Sequence, residues 1–355
     1  MSEGGLREIL ERIAAPDREV ERRARRHIDT LTKPVGSLGF LEEMAVLYCG
    51  MTGTDKPVLG RKRIYTFAAD HGVVDEGVTG YSREVTRQMV FNMLAGGAGI
   101  NVLSRHVGAE ALIVDIGVNY DFPESPDLIG RKVRHGTANI ALGPAMSESE
   151  AMRALEVGIE LARQAREDRV TLLGTGEMGI GNTTPSAALF AALLPCDVEE
   201  VAGRGTGIGD TMLRHKIDVI KRAIQVNKSR LTDPVGALAA LGGLEIAGIA
   251  GLCIGGAANR IPVVVDGFIS TAGAFVACRI CEKVREYLFF SHRSQEQGHA
   301  TALEEMKARP ILDLSMRLGE GTGAALAMGI LEGAVKIYNH MATFETAGVS
   351  GKSAE

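Results

Sequence analysis

Short β-rich runs alternating with longer helix-periodic stretches predict an α/β protein built on a doubly wound, mostly parallel sheet of about six strands. Two further observations agree. Glycine supplies 44 of 355 residues with no collagen period, about 12% against a usual share near 7%. Each β-rich run is also followed by a polar or glycine-rich segment, and in open parallel sheets ligands bind beyond the carboxyl ends of the strands. A smaller helical domain assembled from both chain ends completes the expected architecture, with residues 1–60 plus 305–355 as the small domain and 61–304 as the large one.

Residues 3–30 are charged and helix-periodic. Arg22, Arg23, Arg25 and Arg26 sit among Glu19 and Glu21, which favours a solvated helix face over an anion site. Strands are predicted at 63–69, 111–118, 170–173, 261–265 and 287–290. A helix over 147–166 opens with a capping box from Ser147 to Glu150. The run 235–258 carries Glu245 as its one charge and could be mistaken for a membrane span, but its seven glycines and central carboxylate predict a buried soluble element. The strands are followed in turn by Asp70-His71-Gly72, Asn119, Gly174-Thr175-Gly176-Glu177, Asp266-Gly267 and Ser291-His292. These groups are expected to converge on one rim.

Composition narrows the function. Lys plus Arg is 39 against 44 for Asp plus Glu, a net charge of −5, so there is no general electrostatic case for nucleic acid. With no Trp, 6 Tyr and 10 Phe, little material exists for stacking bases. Five cysteines, mostly in apolar runs, suit reduced core residues of a cytoplasmic protein better than a disulfide framework. The first ten residues carry acidic side chains and lack the apolar core of a signal peptide. The histidines show no H-E-x-x-H spacing, and Cys278 and Cys281 form a lone C-x-x-C, so no metal site is expected. Ser291-His292 and Gly298-His299 lack a nucleophile elbow and are read as holding loop structure. Residues 348–355 read as disordered.

The run from 170 leads into GTGEMGIGNTTPSAALFAALL, with Thr184 and Pro185 placed as N-cap and first residue of a helix. A strand, a glycine turn and a helix start offer free N–H groups to an anion, and phosphate is the natural guest. Gly174, Gly176 and Gly179 fit G-x-G-x-x-G; Gly176, Gly181 and Thr183 fit the Walker spacing with Asn182 where lysine belongs. The missing lysine argues against ATP hydrolysis. The alternative is a glycine turn that only packs helix on strand. A second cluster, Gly203 to Gly207 with Arg204, precedes a helical run containing Lys216 and can add donors and a cation to the same phosphate. A third, Gly319-Glu320-Gly321-Thr322-Gly323, sets a carboxylate at a helix start, where it either serves chemistry or complements the dipole.

Taken together, LTKPVGSLGFLE (31–42), ADHGVVDEGV (69–78), EVTRQMV (84–90), GTANIALGPAM (136–146), GTGEMGIGNTT (174–184), GRGTG (203–207), DPVGALAALGGLEIAGIAG (233–251), PVVVDGFISTAGA (262–274), FSHRS (290–294) and RLGEGTGAALA (317–327) occur in one order along the chain. In these motifs the sequence closely resembles the nicotinate-nucleotide:dimethylbenzimidazole phosphoribosyltransferases, which make α-ribazole phosphate for the lower ligand of cobalamin.

The resemblance implies transfer of phosphoribose from nicotinate mononucleotide to 5,6-dimethylbenzimidazole or a similar base, with release of nicotinate and inversion at the anomeric carbon. It makes Glu320 the general base and puts Glu177 near the ribose. Gly176, Gly181, Asn182, Thr183, Gly203, Arg204, Gly205 and Lys216 become candidate phosphate and ribose contacts. The aromatic base is expected near Tyr81, Gln88, Leu318 and Asp266. A homodimer whose small domains help close the partner's site is also implied, and no cofactor is required. Ser82, Gly209 and Gln297 depart from the family pattern, and the first bears on base selectivity. The rival readings are a mononucleotide-binding protein without transferase activity and a P-loop-like ATPase. A helix start should lower the pKa of Glu320 and burial should raise it; an ionised base at neutral pH is expected.

Overall fold

In a computed structural model, which describes residues 3–350, seven parallel strands form one sheet in the order β3-β2-β1-β4-β5-β6-β7. They are β1 (Arg61–Ala69), β2 (Ala109–Gly117), β3 (Leu128–Gly130), β4 (Val170–Met178), β5 (Val263–Val265), β6 (Leu288–His292) and β7 (Pro310–Leu312). The winding reverses between β1 and β4, and such a switch point opens a crevice beyond the strand ends. The doubly wound α/β class is as expected. The two strands absent from the sequence reading, β3 and β7, are three-residue edges, too short to carry a periodic signal. β7 lies beyond the boundary drawn at residue 304.

Helices cover both faces, so strand interiors read as continuous apolar runs. On one face lie Gly99–His106 and Thr322–His340; on the other, Leu244–Ala258 and Phe268–Ile280. The run 235–258 divides between Pro234–Leu241 and Leu244–Ala258, and its residues are buried through Ala257 apart from partly covered Val235. Its glycines let backbones touch: a Cβ at Gly251 would overlap the carbonyl of Leu155, and one at Gly158 the carbonyl of Gly248. Helix Glu148–Glu167 therefore packs backbone against backbone on Leu244–Ala258, and the Ser147–Glu150 capping box fixes its start. Among the described residues no helix is long and apolar enough to cross a membrane.

The chain ends meet. Leu31 bridges Thr343, and helices Arg18–Asp29, Phe40–Thr52 and Thr322–His340 pack together. Arg22 and Arg23 pair with Glu19 and Asp55 on an exposed face, as the charge pattern suggested. Gly348 ends a short helix in left-handed conformation, and Val349 donates to the carbonyl of Phe344. The tail read as disordered is thus tied down at its start; residues 351–355 lie outside those described.

Candidate active site

The strand ends do converge. The main-chain N–H of Asn119 donates to Asp70 at 2.8 Å, Thr175 Oγ1 accepts from the N–H of Asp266 at 3.0 Å, and Ser291 Oγ donates to the Asp266 carbonyl at 3.0 Å. Above this rim lies a cavity of about 560 Å³ whose walls include Glu177, Asn182, Thr183, Gly205, Arg317 and Glu320.

Glu320 is 5% exposed and has a left-handed backbone, φ +63°, between Gly319 at +85° and Gly321 at +100°. A non-glycine residue holds this conformation only when its surroundings enforce it. Three contacts do so. Thr66 Oγ1 donates to the Glu320 carbonyl at 2.8 Å, and the Asp266 carboxylate accepts the N–H groups of Gly321 at 3.1 Å and Ala324 at 2.9 Å. Gly176 leaves the space, since a Cβ there would overlap the Glu320 carbonyl.

The Glu320 carboxylate does not use its own helix start. Its Oε2 accepts from the N–H of Ile100 at 3.1 Å, at the start of helix Gly99–His106. Burial pushes its pKa above the ordinary carboxylate value; the N–H groups of Ile100 and Gly99 oppose this, and nearby Asp266 adds to it.

β4 runs through Met178 instead of ending at 173, so Gly174 and Gly176 are strand residues and the turn begins at Gly179. Hydrogen bonding to β1 continues to Met178, which overrides the turn propensity of glycine. The following helix, Thr183–Leu193, has Asn182 as its N-cap, and Thr184 and Pro185 lie inside its first turn. Glu177 thereby points from the strand end into the cavity. Burial pushes its pKa up to about 8, opposed by Asn182 Nδ2, which donates to Oε2 at 2.5 Å. Asn182, expected to contact phosphate, spends its amide on this carboxylate.

Lys216 reaches from helix Asp210–Asn227 and is 1% exposed; its Nζ donates to Thr183 Oγ1 at 2.7 Å and to the Gly203 carbonyl at 3.1 Å. Burial pushes its pKa down to about 8. With Gly181, Thr183, Arg204 and Gly205 it lines a side chamber of about 40 Å³ next to the main cavity. The Arg204 guanidinium turns back to the Ile208 carbonyl at 2.9 Å and to Asp210. Gly203 presents its carbonyl to Lys216, an acceptor where a donor was expected.

Tyr81 and Leu318, 52% and 61% exposed, stand at the cavity mouth. Gln88 is exposed on helix Glu84–Leu94, whose Val85 and Met89 line the cavity in its place. Asp266 is buried beneath the Glu320 loop and does not line the cavity. Val85 and Met89 form an i, i+4 pair on that helix, a spacing that could have located this wall. Arg317, Glu296 and the N–H groups of Gly99 and Ile100 were not singled out, and His292, read as holding loop structure, also lines the cavity. His299 behaves as a loop holder: Nδ1 accepts from the N–H of Ser294 at 2.8 Å, Nε2 meets Thr271 Oγ1 at 2.9 Å, and burial pushes its pKa down to about 3.

A phosphoribosyltransferase family model matches residues 13–349. The chain is 60% identical to the nicotinate-nucleotide–dimethylbenzimidazole phosphoribosyltransferase of Pelodictyon phaeoclathratiforme, over 99% of each chain, and 57% identical to that of Geobacter sulfurreducens, over 97% and 98%. A crystal structure of the Thermus thermophilus enzyme of the same name superposes with a TM-score of 0.89 at 48% identity, covering 95% of this chain and 100% of that one. The chain belongs to the nicotinate-nucleotide:dimethylbenzimidazole phosphoribosyltransferase family.

Proposed function

We propose that this chain transfers phosphoribose from nicotinate mononucleotide to 5,6-dimethylbenzimidazole, giving α-ribazole 5′-phosphate and nicotinate with inversion at the anomeric carbon. The observation that carries the reading is the buried Glu320 carboxylate, fixed by a strained loop in a cavity whose mouth is apolar. Lys216, Thr183 and Gly205 hold the phosphate in the side chamber, and the ribose lies toward Glu177. The base enters past Tyr81 and Leu318 between Val85 and Met89.

One benzimidazole nitrogen attacks the anomeric carbon while the bond to nicotinate breaks and its electron pair returns to the pyridine nitrogen. The other nitrogen becomes acidic as the new bond forms and gives its proton to Glu320. A carboxylate whose pKa is raised by burial suits that task. Glu177, when ionised, stabilises positive charge developing on the sugar.

The rival readings lose ground on particular residues. Asn182 stands where a P-loop needs lysine and is committed to Glu177. A protein that only binds nucleotide has no use for a strained carboxylate beside an apolar entrance. The helical layer built from both chain ends is proposed as a small domain of a cytoplasmic homodimer that helps close the partner's site. The test is free nicotinate, measured with purified protein: it should appear only when nicotinate mononucleotide and dimethylbenzimidazole are both present. Release with neither dependence on base nor formation of α-ribazole phosphate would contradict the reading.

A further inference from the structure

Arg317 lines the main cavity but not the side chamber, whereas Lys216 and Arg204 line the side chamber but not the main cavity. Among the described residues it is the one lysine or arginine around the main cavity, set among Glu177, Glu296 and Glu320. Its guanidinium is lightly engaged: Nη1 donates to the Gly205 carbonyl at 3.4 Å, and no ion pair holds it among the described residues. Arg204, by contrast, is tied to Asp210. Arg317 thus offers an unspent planar donor pair at a wall otherwise unfavourable to anions.

Resting on the transferase reading above, we infer that Arg317 is a specificity-determining residue that binds the ring carboxylate of nicotinate and so selects nicotinate mononucleotide over its carboxamide counterpart. The phosphate has its own cation in Lys216, so the second anionic group of this substrate is the one left without a counter-charge. An anion approaching a wall that carries Glu296 and Glu320 is disfavoured unless a cation meets it. The pairing also favours reaction. It withdraws negative charge from the ring while the pyridine nitrogen takes back the bonding electron pair, and it holds nicotinate, now a net anion, as the base bonds to the sugar.

The test compares nicotinate mononucleotide with nicotinamide mononucleotide, which share phosphate, ribose and ring nitrogen and differ in the carboxylate. Steady-state transfer to dimethylbenzimidazole and calorimetric binding of each nucleotide are measured for wild type, Arg317→Gln and Arg317→Lys. For Arg317→Gln, binding and kcat/KM with nicotinate mononucleotide should fall about 10- to 100-fold, those with nicotinamide mononucleotide should change less than about 3-fold, and lysine should restore part of the preference. An equal loss for both nucleotides would assign Arg317 to the phosphate and overturn the inference, as would no loss for either. Wild type that binds both nucleotides but releases no nicotinate would defeat the transferase reading instead, and the binding comparison would still decide the role of Arg317.

Discussion

The carboxylate of Glu177 occupies the space that a side chain at Gly319 would need: a Cβ built there would overlap Glu177 Oε1. The two proposed carboxylates are therefore packed through one glycine, adjacent in sequence to Glu320 and also at φ +85°. A shift of Glu177 toward position 319 would therefore press on the loop that carries Glu320.

Gly319→Ala tests this coupling. Alanine at positive φ costs about 1 kcal/mol before any overlap is counted, and the overlap must displace Glu177 or the loop. Turnover should fall more than about 10-fold with a lower melting temperature. Wild-type turnover and melting would show that the two carboxylates move independently.

Asp266→Asn removes one of two oxygens that accept the N–H groups of Gly321 and Ala324 and puts an amide donor against a main-chain donor. The expected loss of stability is about 1–3 kcal/mol. Because Asp266 acts through the Glu320 loop, kcat should drop while KM for nicotinate mononucleotide stays near wild type. A rise in KM with unchanged kcat would place Asp266 in substrate binding.

The pKa of Glu177, about 8, lies above its ordinary value of 4.5. The folded protein holds this proton more tightly than the unfolded chain. The stabilising effect of that proton is complete below pH 4.5 and is lost as pH rises through about 8. Glu177→Gln escapes the penalty, so its melting temperature relative to wild type should climb between about pH 5 and 8 in the absence of substrate. A difference that stays flat across this window would mean Glu177 is ionised throughout.

Lys216→Met removes the buried ammonium of the side chamber while keeping most of its volume. Affinity for nicotinate mononucleotide should fall about 10-fold or more, and binding of dimethylbenzimidazole should not change. In wild type, nucleotide affinity should weaken above about pH 8, where Lys216 loses its proton in the empty site. Equal weakening for both ligands would indicate a collapsed fold.

How far the sequence could be read depends on the range of the interaction. Glu320 was legible because glycines flank a carboxylate at a helix start within a motif that resembles the family's, and the strand ends were legible because polar residues follow apolar runs; the left-handed backbone at Glu320 shows only in the fold. The donors to Glu320 were not legible, since Gly99 and Ile100 lie about 220 residues away and come from another helix. Asn182 and Arg204 were expected beside phosphate or ribose, and their partners Glu177 and Asp210 were not legible for a related reason: only the fold brings these carboxylates within reach. Gly176 was placed in a turn, whereas its service is to make room for the Glu320 carbonyl.

Proton removal by Glu320 is tested most directly by single-turnover release of nicotinate from enzyme saturated with nicotinate mononucleotide and dimethylbenzimidazole, wild type against Glu320→Gln. The amide keeps shape and volume but cannot take a proton. The release rate should fall about 10²-fold or more with nucleotide binding intact. Equal rates in the two proteins would contradict the assignment.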